Sequence, residues 1–278
     1  MPPDPESSIP VALTIAGSDN SAGAGIQADL KTFGAAGVYG VTALTCVVAE
    51  VPGHVAAIQP IDPDIVRQQI ELLAGHFPIR AAKTGMLHSA AVIHVVADFL
   101  MHWGVLKRRP PLVVDPVMVA SSGDALLEAD AVAVYRDRLF PLARLITPNL
   151  PEAAALLGRP IEDLEGMRVA GLELADGYGV PFLVKGGHLG GDTAIDLLVF
   201  PGGLIEEFRA PFTRDVSTHG TGCTYSAAIT AQLALGMELT EAVRESKAYV
   251  SAAIRQHFRW RKKGEADVDA LNHYQWPG

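Results

Sequence analysis

Short apolar runs alternate with stretches of helical periodicity along nearly the whole chain. Val11–Ala16 reads as a first buried strand ending in Gly17-Ser18-Asp19, and Ser21–Gly25 leads into a helix over Ile26–Phe33. Tyr39–Ala49 reads as a second strand. Pro63 to Leu73 has a helical pattern, with Asp62 as N-cap before a proline whose missing N–H costs nothing in a first turn. Ala81–Gly85 predicts a short strand and Ala90–Leu100 an amphipathic helix. Pro111–Asp115 is almost wholly apolar, as a parallel strand covered on both faces must be. Leu145–Thr147 and Pro181–Lys185 repeat that pattern. Ile195–Phe200 and Leu204–Phe208, parted by Gly202-Gly203, predict an antiparallel hairpin.

Strands and helices in alternation imply an α/β fold with a mostly parallel sheet between layers of helices. Ligands of such folds bind beyond the carboxyl ends of the strands. Ser18, Asp19, Glu50, Lys83, Thr84, Asp115, Thr147, Asn149 and Lys185 all fall at those ends. No repeat or low-complexity linker interrupts the pattern, so one domain over residues 11–278, behind a flexible lead-in over 1–10, is expected.

Composition narrows the function. Hydrophobic residues make up 49% of the 278 and charged residues 19%, which implies a large interior. The net charge of −9 argues against a nucleic-acid partner, since no basic stripe is present to neutralise phosphates. Two cysteines, Cys46 and Cys223, exclude a disulfide framework and fit a reducing compartment. The N-terminal segment has no signal-peptide pattern and the chain no apolar run of 18 residues, so a cytoplasmic location without a membrane partner is expected.

The densest chemistry lies in Ser217-Thr218-His219-Gly220-Thr221-Gly222-Cys223-Thr224, which runs straight into a helix-forming sequence. Such a junction aims backbone N–H groups and the positive end of a helix dipole at one point. That point suits a phosphate or the charge that develops in phosphoryl transfer. The same field is expected to lower the Cys223 thiol towards a thiolate near neutral pH. A kinase for a small molecule bearing a hydroxyl is one reading, and a glycine-rich turn before a helix with a buried cysteine is the other. Cys46, in mid-strand, reads as core.

Further blocks stand in order along the chain: Ala16–Asp19, Gly23–Lys31, Lys83–Leu87, Asp115–Met118, Thr147–Ala153, Lys185–His188 and His219–Cys223. Together they resemble the hydroxymethylpyrimidine/phosphomethylpyrimidine kinases of thiamine biosynthesis, within the ribokinase-like superfamily. The likeness spans residues 11 to 255 and implies a three-layer α/β/α sandwich, ATP with Mg²⁺, and a homodimer. It implies phosphorylation of 4-amino-5-hydroxymethyl-2-methylpyrimidine and of its monophosphate to the diphosphate. The alternatives are a pyridoxine/pyridoxal kinase with the same machinery, or a non-catalytic protein that keeps the pocket.

The resemblance assigns residues. Ala24, in a glycine-flanked loop that lets the backbone approach a flat ring, and Asp29 belong to the pyrimidine pocket, although Asp29 also reads as a first-turn helix acid. Val48, Met86 and Val117 surround the ring, and would otherwise read as core. Asp115 and Glu152 hold Mg²⁺ through water, with Asn149 beside the nucleotide. Asn149 and Glu152 also have the spacing of a capping box. Lys185, before Gly186-Gly187, reaches the phosphates as a mobile charge. Gly220, Thr221 and Gly222 donate to the transition-state charge, and Cys223 accepts the substrate hydroxyl proton. A flap over residues 119–125 is expected from their small side chains.

Two places depart from the family pattern. Glu50 stands where relatives carry the glutamine that pairs with a ring nitrogen and the exocyclic amine. A carboxylate can do this only by sharing a proton, which requires a raised pKa, or it marks a different ring. The segment from Gly264 to Gly278 also differs from the usual Gly-x-Gly-Pro ending, and carries no catalytic assignment.

Overall fold

The computed structural model describes residues 9–106, 109–118, 131–187, 189–216, 219–261 and 267–276. In chain order its strands are β1 (Val11–Ala16), β2 (Tyr39–Leu44), β3 (Cys46–Val51), β4 (His54–Pro60), β5 (Ile79–Thr84) and β6 (Leu112–Val114). There follow β7 (Leu145–Ile146), β8 (Phe182–Lys185), β9 (Thr193–Val199), β10 (Ile205–Pro211), β11 (Phe258–Trp260) and β12 (Val268–Ala270). The α-helices are α1 (Gly25–Ala35), α2 (Pro63–His76), α3 (Ala90–Leu106), α4 (Ala131–Val134), α5 (Leu150–Leu157), α6 (Leu164–Tyr178), α7 (Thr221–Ala234) and α8 (Leu239–Arg255).

Eight strands form one sheet in the order β10-β9-β8-β7-β6-β5-β1-β2. Neighbours from β2 through β8 run parallel, and β9 is antiparallel to both β8 and β10. Because successive strand residues point to opposite faces, each apolar run feeds two cores. Leu13, Ile15, Val114, Phe182 and Val184 pack with α2, α3, α5 and α6. Ala12, Val113, Leu183 and Leu198 pack on the other face with Phe33 of α1 and with α7 and α8. This is the expected three-layer sandwich. All six residues of β1 are buried; burying a side chain such as Leu13 or Ile15 contributes about 1.5–3 kcal/mol. The hairpin at Gly202-Gly203 forms as expected, with Val199 opposite Ile205.

The single strand expected over Tyr39–Ala49 is two. It breaks at fully buried Thr45, whose N–H donates to the Ala16 carbonyl (3.0 Å) and whose hydroxyl donates to the Met86 carbonyl (2.7 Å). Beyond that anchor β3 leaves the sheet and pairs with β4 as a separate antiparallel ribbon. β4 has no sequence signature, because most of its residues are exposed and show no period. β11 and β12 form a second small hairpin. The chain after it lies against the helices: Trp276 stacks on Tyr249 with ring centroids 4.3 Å apart. Among the described residues no helix is long and apolar enough to cross a membrane.

Candidate active site

A cavity of about 800 Å³ opens at the carboxyl ends of the parallel strands, where β5 and β1 mark the reversal of strand order. Its first wall is the loop after β1, which is organised by one carboxylate. Asp19 is fully buried and accepts from the N–H of Ser21 (2.6 Å), Gly23 (3.0 Å) and Ala24 (2.7 Å) and from the Ser21 hydroxyl (3.0 Å). Its Oδ2 also lies 3.0 Å from Nε2 of His219, 200 residues further along the chain. Burial would raise the Asp19 carboxyl, but the His219 contact and these donors outweigh it and hold it well below the usual carboxylate range. His219 rises in turn: burial opposes its charge, while Asp19, with Glu50 behind, favours it. The two loops so clipped touch at a glycine. Gly220 has φ +80°, and a Cβ there would sit 1.8 Å from the Gly23 carbonyl oxygen.

Gly220 is the N-cap of α7, and no side chain caps this helix. The Thr221 hydroxyl is buried without a hydrogen-bond partner. Both lie on the cavity wall. An uncapped helix start with a buried, unpartnered hydroxyl has the donors that an anion such as a nucleotide phosphate takes up. Beside it Lys185 Nζ lies 3.1 Å from Asp115 Oδ1. Asp115 also accepts from Ser226 of α7 (3.0 Å) and Thr147 (3.3 Å). The lysine is close enough that a Cβ on Gly222 would lie 3.2 Å from Nζ. Burial works against the Lys185 charge, but Asp115 and Glu152 carry its pKa above the ordinary lysine value. Gly220, Thr221, Gly222, Cys223, Lys185 and Asp115 thus meet on one wall.

Cys223 does not have the lowered pKa that its place at the helix start predicts. Burial pushes the thiol up to about 11; Lys83 opposes the rise, while Asp29 and Asp115 add to it. Across the sheet, two carboxylates and desolvation overcome the local dipole. The buried Cys46 thiol is likewise raised to about 11, as a core cysteine.

Asp29 is not in the pocket wall, nor is it a first-turn acid. It sits fully buried on α1, accepting from Thr14 (2.6 Å) and paired with Lys83 Nζ at 2.7 Å. Burial disfavours the Lys83 charge, and Asp29 more than offsets this. Asp29 therefore holds the lysine that faces Cys223. Val48 also lies behind the wall, packed with Cys46 under Met86. Ala24, Glu50, Met86 and Val117 do line the cavity. The Glu50 carboxyl is raised by burial and by Asp19, with His219 opposing, which is the direction that sharing a proton with a ring requires.

Asn149 and Glu152 form the capping box at the start of α5: Asn149 Oδ1 accepts from the Glu152 N–H and the Glu152 carboxylate accepts from the Asn149 N–H, each at 2.8 Å. Both also line the cavity. Burial lifts the Glu152 carboxyl to about 7, with Lys185 lowering it and Asp115 raising it. Among the described residues no three His, Cys, Asp or Glu side chains gather as a metal cage. Two carboxylates and an amide beside a phosphate-sized anion site are nonetheless hard oxygen donors of the kind that suit Mg²⁺ held mainly by phosphates and water.

Sequence reading missed Asp19, His219 and Ser226 as organising residues. The contacts Asp19–His219 and Ser226–Asp115 join positions 200 and 111 residues apart, and only the strand-end place of Asp19 and the ordered motifs around Asp19 and His219 marked any of them. The flap expected over 119–125 lies outside the described residues, as do Ser217, Thr218 and His188.

The family model for phosphomethylpyrimidine kinase matches residues 19–268. The chain is 47% identical over 246 residues to the hydroxymethylpyrimidine/phosphomethylpyrimidine kinase of Rhizobium meliloti, covering 88% of this chain and 90% of that one. A solved phosphomethylpyrimidine kinase from Clostridium difficile superposes with a TM-score of 0.76 at 41% identity, over 89% of this chain and all of that one (100%). An ADP complex of Bacillus subtilis pyridoxal kinase superposes with a TM-score of 0.84 at 37% identity, over 96% of this chain and 98% of that one. Matched from the Asp19 loop to the hairpin beyond α8, the chain belongs to the phosphomethylpyrimidine kinase family.

Proposed function

We propose that this chain transfers the γ-phosphoryl group of ATP to the hydroxymethyl oxygen of 4-amino-5-hydroxymethyl-2-methylpyrimidine. It then repeats the transfer on the monophosphate, giving the diphosphate used in thiamine biosynthesis. The observation that carries this reading is the uncapped α7 start, with its orphaned Thr221 hydroxyl, beside the Lys185–Asp115 pair on one cavity wall. The ring lies between Met86, Val117 and the Ala24 loop, with its polar edge at Glu50. Asp115 and Glu152 would hold Mg²⁺ through water, and the ion would supply charge neutralisation at the phosphates.

The hydroxyl oxygen forms the new P–O bond as the bond to ADP breaks. Backbone N–H groups of Gly220, Thr221 and Gly222 receive the developing charge, each worth about 3–4 kcal/mol in such sites. Lys185 turns from Asp115 towards the phosphates. Cys223 is a neutral thiol at rest. It therefore orients the hydroxyl, whose proton leaves late in a loose transition state to a phosphoryl oxygen and then to water. Residues 11–278 act as one kinase unit, with a small-molecule partner and no nucleic-acid or membrane partner, as a cytoplasmic homodimer. The net charge of −9 supports the absence of nucleic acid.

A second reading, pyridoxal as acceptor, is favoured by the Glu50 carboxylate and by the similarity to a pyridoxal kinase fold. The experiment that decides is ADP release with ATP and Mg²⁺, offering the hydroxymethylpyrimidine, its monophosphate and pyridoxal in parallel. Turnover of both pyrimidines well ahead of pyridoxal is expected. Preference for pyridoxal overturns the substrate assignment, and no turnover of any overturns the kinase reading.

A further inference from the structure

The same cavity holds a second buried lysine–aspartate pair that the reaction above does not use. Asp196 of β9 accepts from the Gly186 N–H (3.1 Å) through one oxygen and from Lys247 Nζ (2.5 Å) through the other. Both side chains are almost wholly buried, and both line the cavity beyond Lys185, next to Val250 and Ile254 of α8. Asp196 is the direct cross-strand partner of Lys185. The Lys247 pair is thus one cross-strand step from the Lys185–Asp115 pair and repeats its design. Beside it the buried Tyr225 hydroxyl, also on the cavity wall, faces the Asp196 carboxylate. A buried ion pair is a poor device for stability alone, because apolar side chains of the same size do as well.

We propose that Lys247 is a nucleotide-binding residue that turns from Asp196 to the diphosphate of the bound nucleotide. Asp196 meanwhile keeps the Gly186 N–H, and so holds the glycine turn that follows Lys185. This rests on the ATP reading above. It adds a second cation to the phosphate site and gives the pair at the far end of the cavity the role that Lys185 and Asp115 have at the near end.

The test is calorimetric titration of ADP into the whole protein and two variants. K247Q removes the charge but keeps an N–H for Asp196 and nearly the same volume. D196N keeps an oxygen for Gly186 and releases the lysine. K247Q should weaken ADP about tenfold, the loss of one charge-assisted hydrogen bond. Its KM for ATP should rise by a similar factor while that of D196N does not, a split that a merely structural tie would not produce. D196N should bind ADP at least as tightly as the unaltered protein. A purely structural tie would instead weaken ADP equally in both variants and lower Tm in both; that result, or unchanged ADP affinity in K247Q, overturns the assignment. Failure of the unaltered protein to bind ADP would overturn the nucleotide reading itself, and is seen before either variant is made.

Discussion

Adding one methyl group at Gly220 tests whether the two loops that meet there set the rate. In G220A the new Cβ would lie 1.8 Å from the Gly23 carbonyl oxygen, whereas ordinary contact begins at 3.4 Å. The obstacle is backbone and cannot swing aside, so the loops must part by the difference, about 1.6 Å. An N–H held at 2.9 Å from a developing oxyanion moves out of hydrogen-bond range under such a shift. Loss of one such donor costs roughly 10²–10³ in kcat. Gly236 provides the control, because it sits just beyond the other end of α7 at φ +91° with nothing within 4 Å of its Cβ position. G236A pays only the left-handed strain, about 1–2 kcal/mol, a drop of roughly 2–6 °C in Tm. Steady-state kinetics and thermal melts on both variants separate the two effects. The expected pattern is left-handed strain in each, a larger Tm drop in G220A from the added clash, and a large kcat loss in G220A alone. If G220A keeps its kcat within a few-fold of G236A, the close approach of the loops is not what positions the donors, and the reasoning is refuted.

Three further outcomes follow from the buried charges. Glu152 is raised from 4.5 to about 7, so folding retains its proton; the stability it contributes is full below pH 4.5 and is lost as pH rises to about 7. The Tm difference between the metal-free protein and E152Q should change across that window in this sense, and a flat difference would contradict it. K83M strands the Asp29 carboxylate with Thr14 alone, at a cost of about 3–5 kcal/mol in urea unfolding, while D29L/K83M recovers most of the loss; a cost for K83M below about 1 kcal/mol would show that the pair does not carry the interior. With its thiol near 11, Cys223 in the ligand-free protein should be alkylated about tenfold faster per pH unit, with no plateau near neutrality. A plateau near pH 7 in mass-spectrometric labelling would restore the activated thiolate.

The sandwich was legible because a parallel strand covered on both faces has to be apolar throughout, and Val11–Ala16 and Leu112–Val114 announce it. The capping box of Asn149 and Glu152 was legible because its partners are three residues apart. What hid were interactions set by the closing of the sheet. Asp29 and Lys83 stand 54 residues apart, so local reasoning assigned Asp29 to its own helix or to the ligand. The Cys223 thiol was read from its helix, yet its pKa is decided by burial and by carboxylates on α1 and after β6. Thr45 ends a strand with no glycine or proline within four residues of it, since the break is made by hydrogen bonds to Ala16 and Met86 rather than by a turn residue.

The departure of β3 from the sheet at Thr45 divides labour inside one cavity. Glu50, which lines the cavity, rides on a two-stranded ribbon outside the main sheet. Cys223, Lys185 and Asp115 are fixed by the eight-stranded sheet and its helices. If Glu50 meets the ring as proposed, substitutions on the ribbon should change which heterocycle is accepted while leaving the sheet-borne residues in place. A fold so arranged can be retuned to new ring substrates a residue at a time, and the ribbon is where a designer should begin.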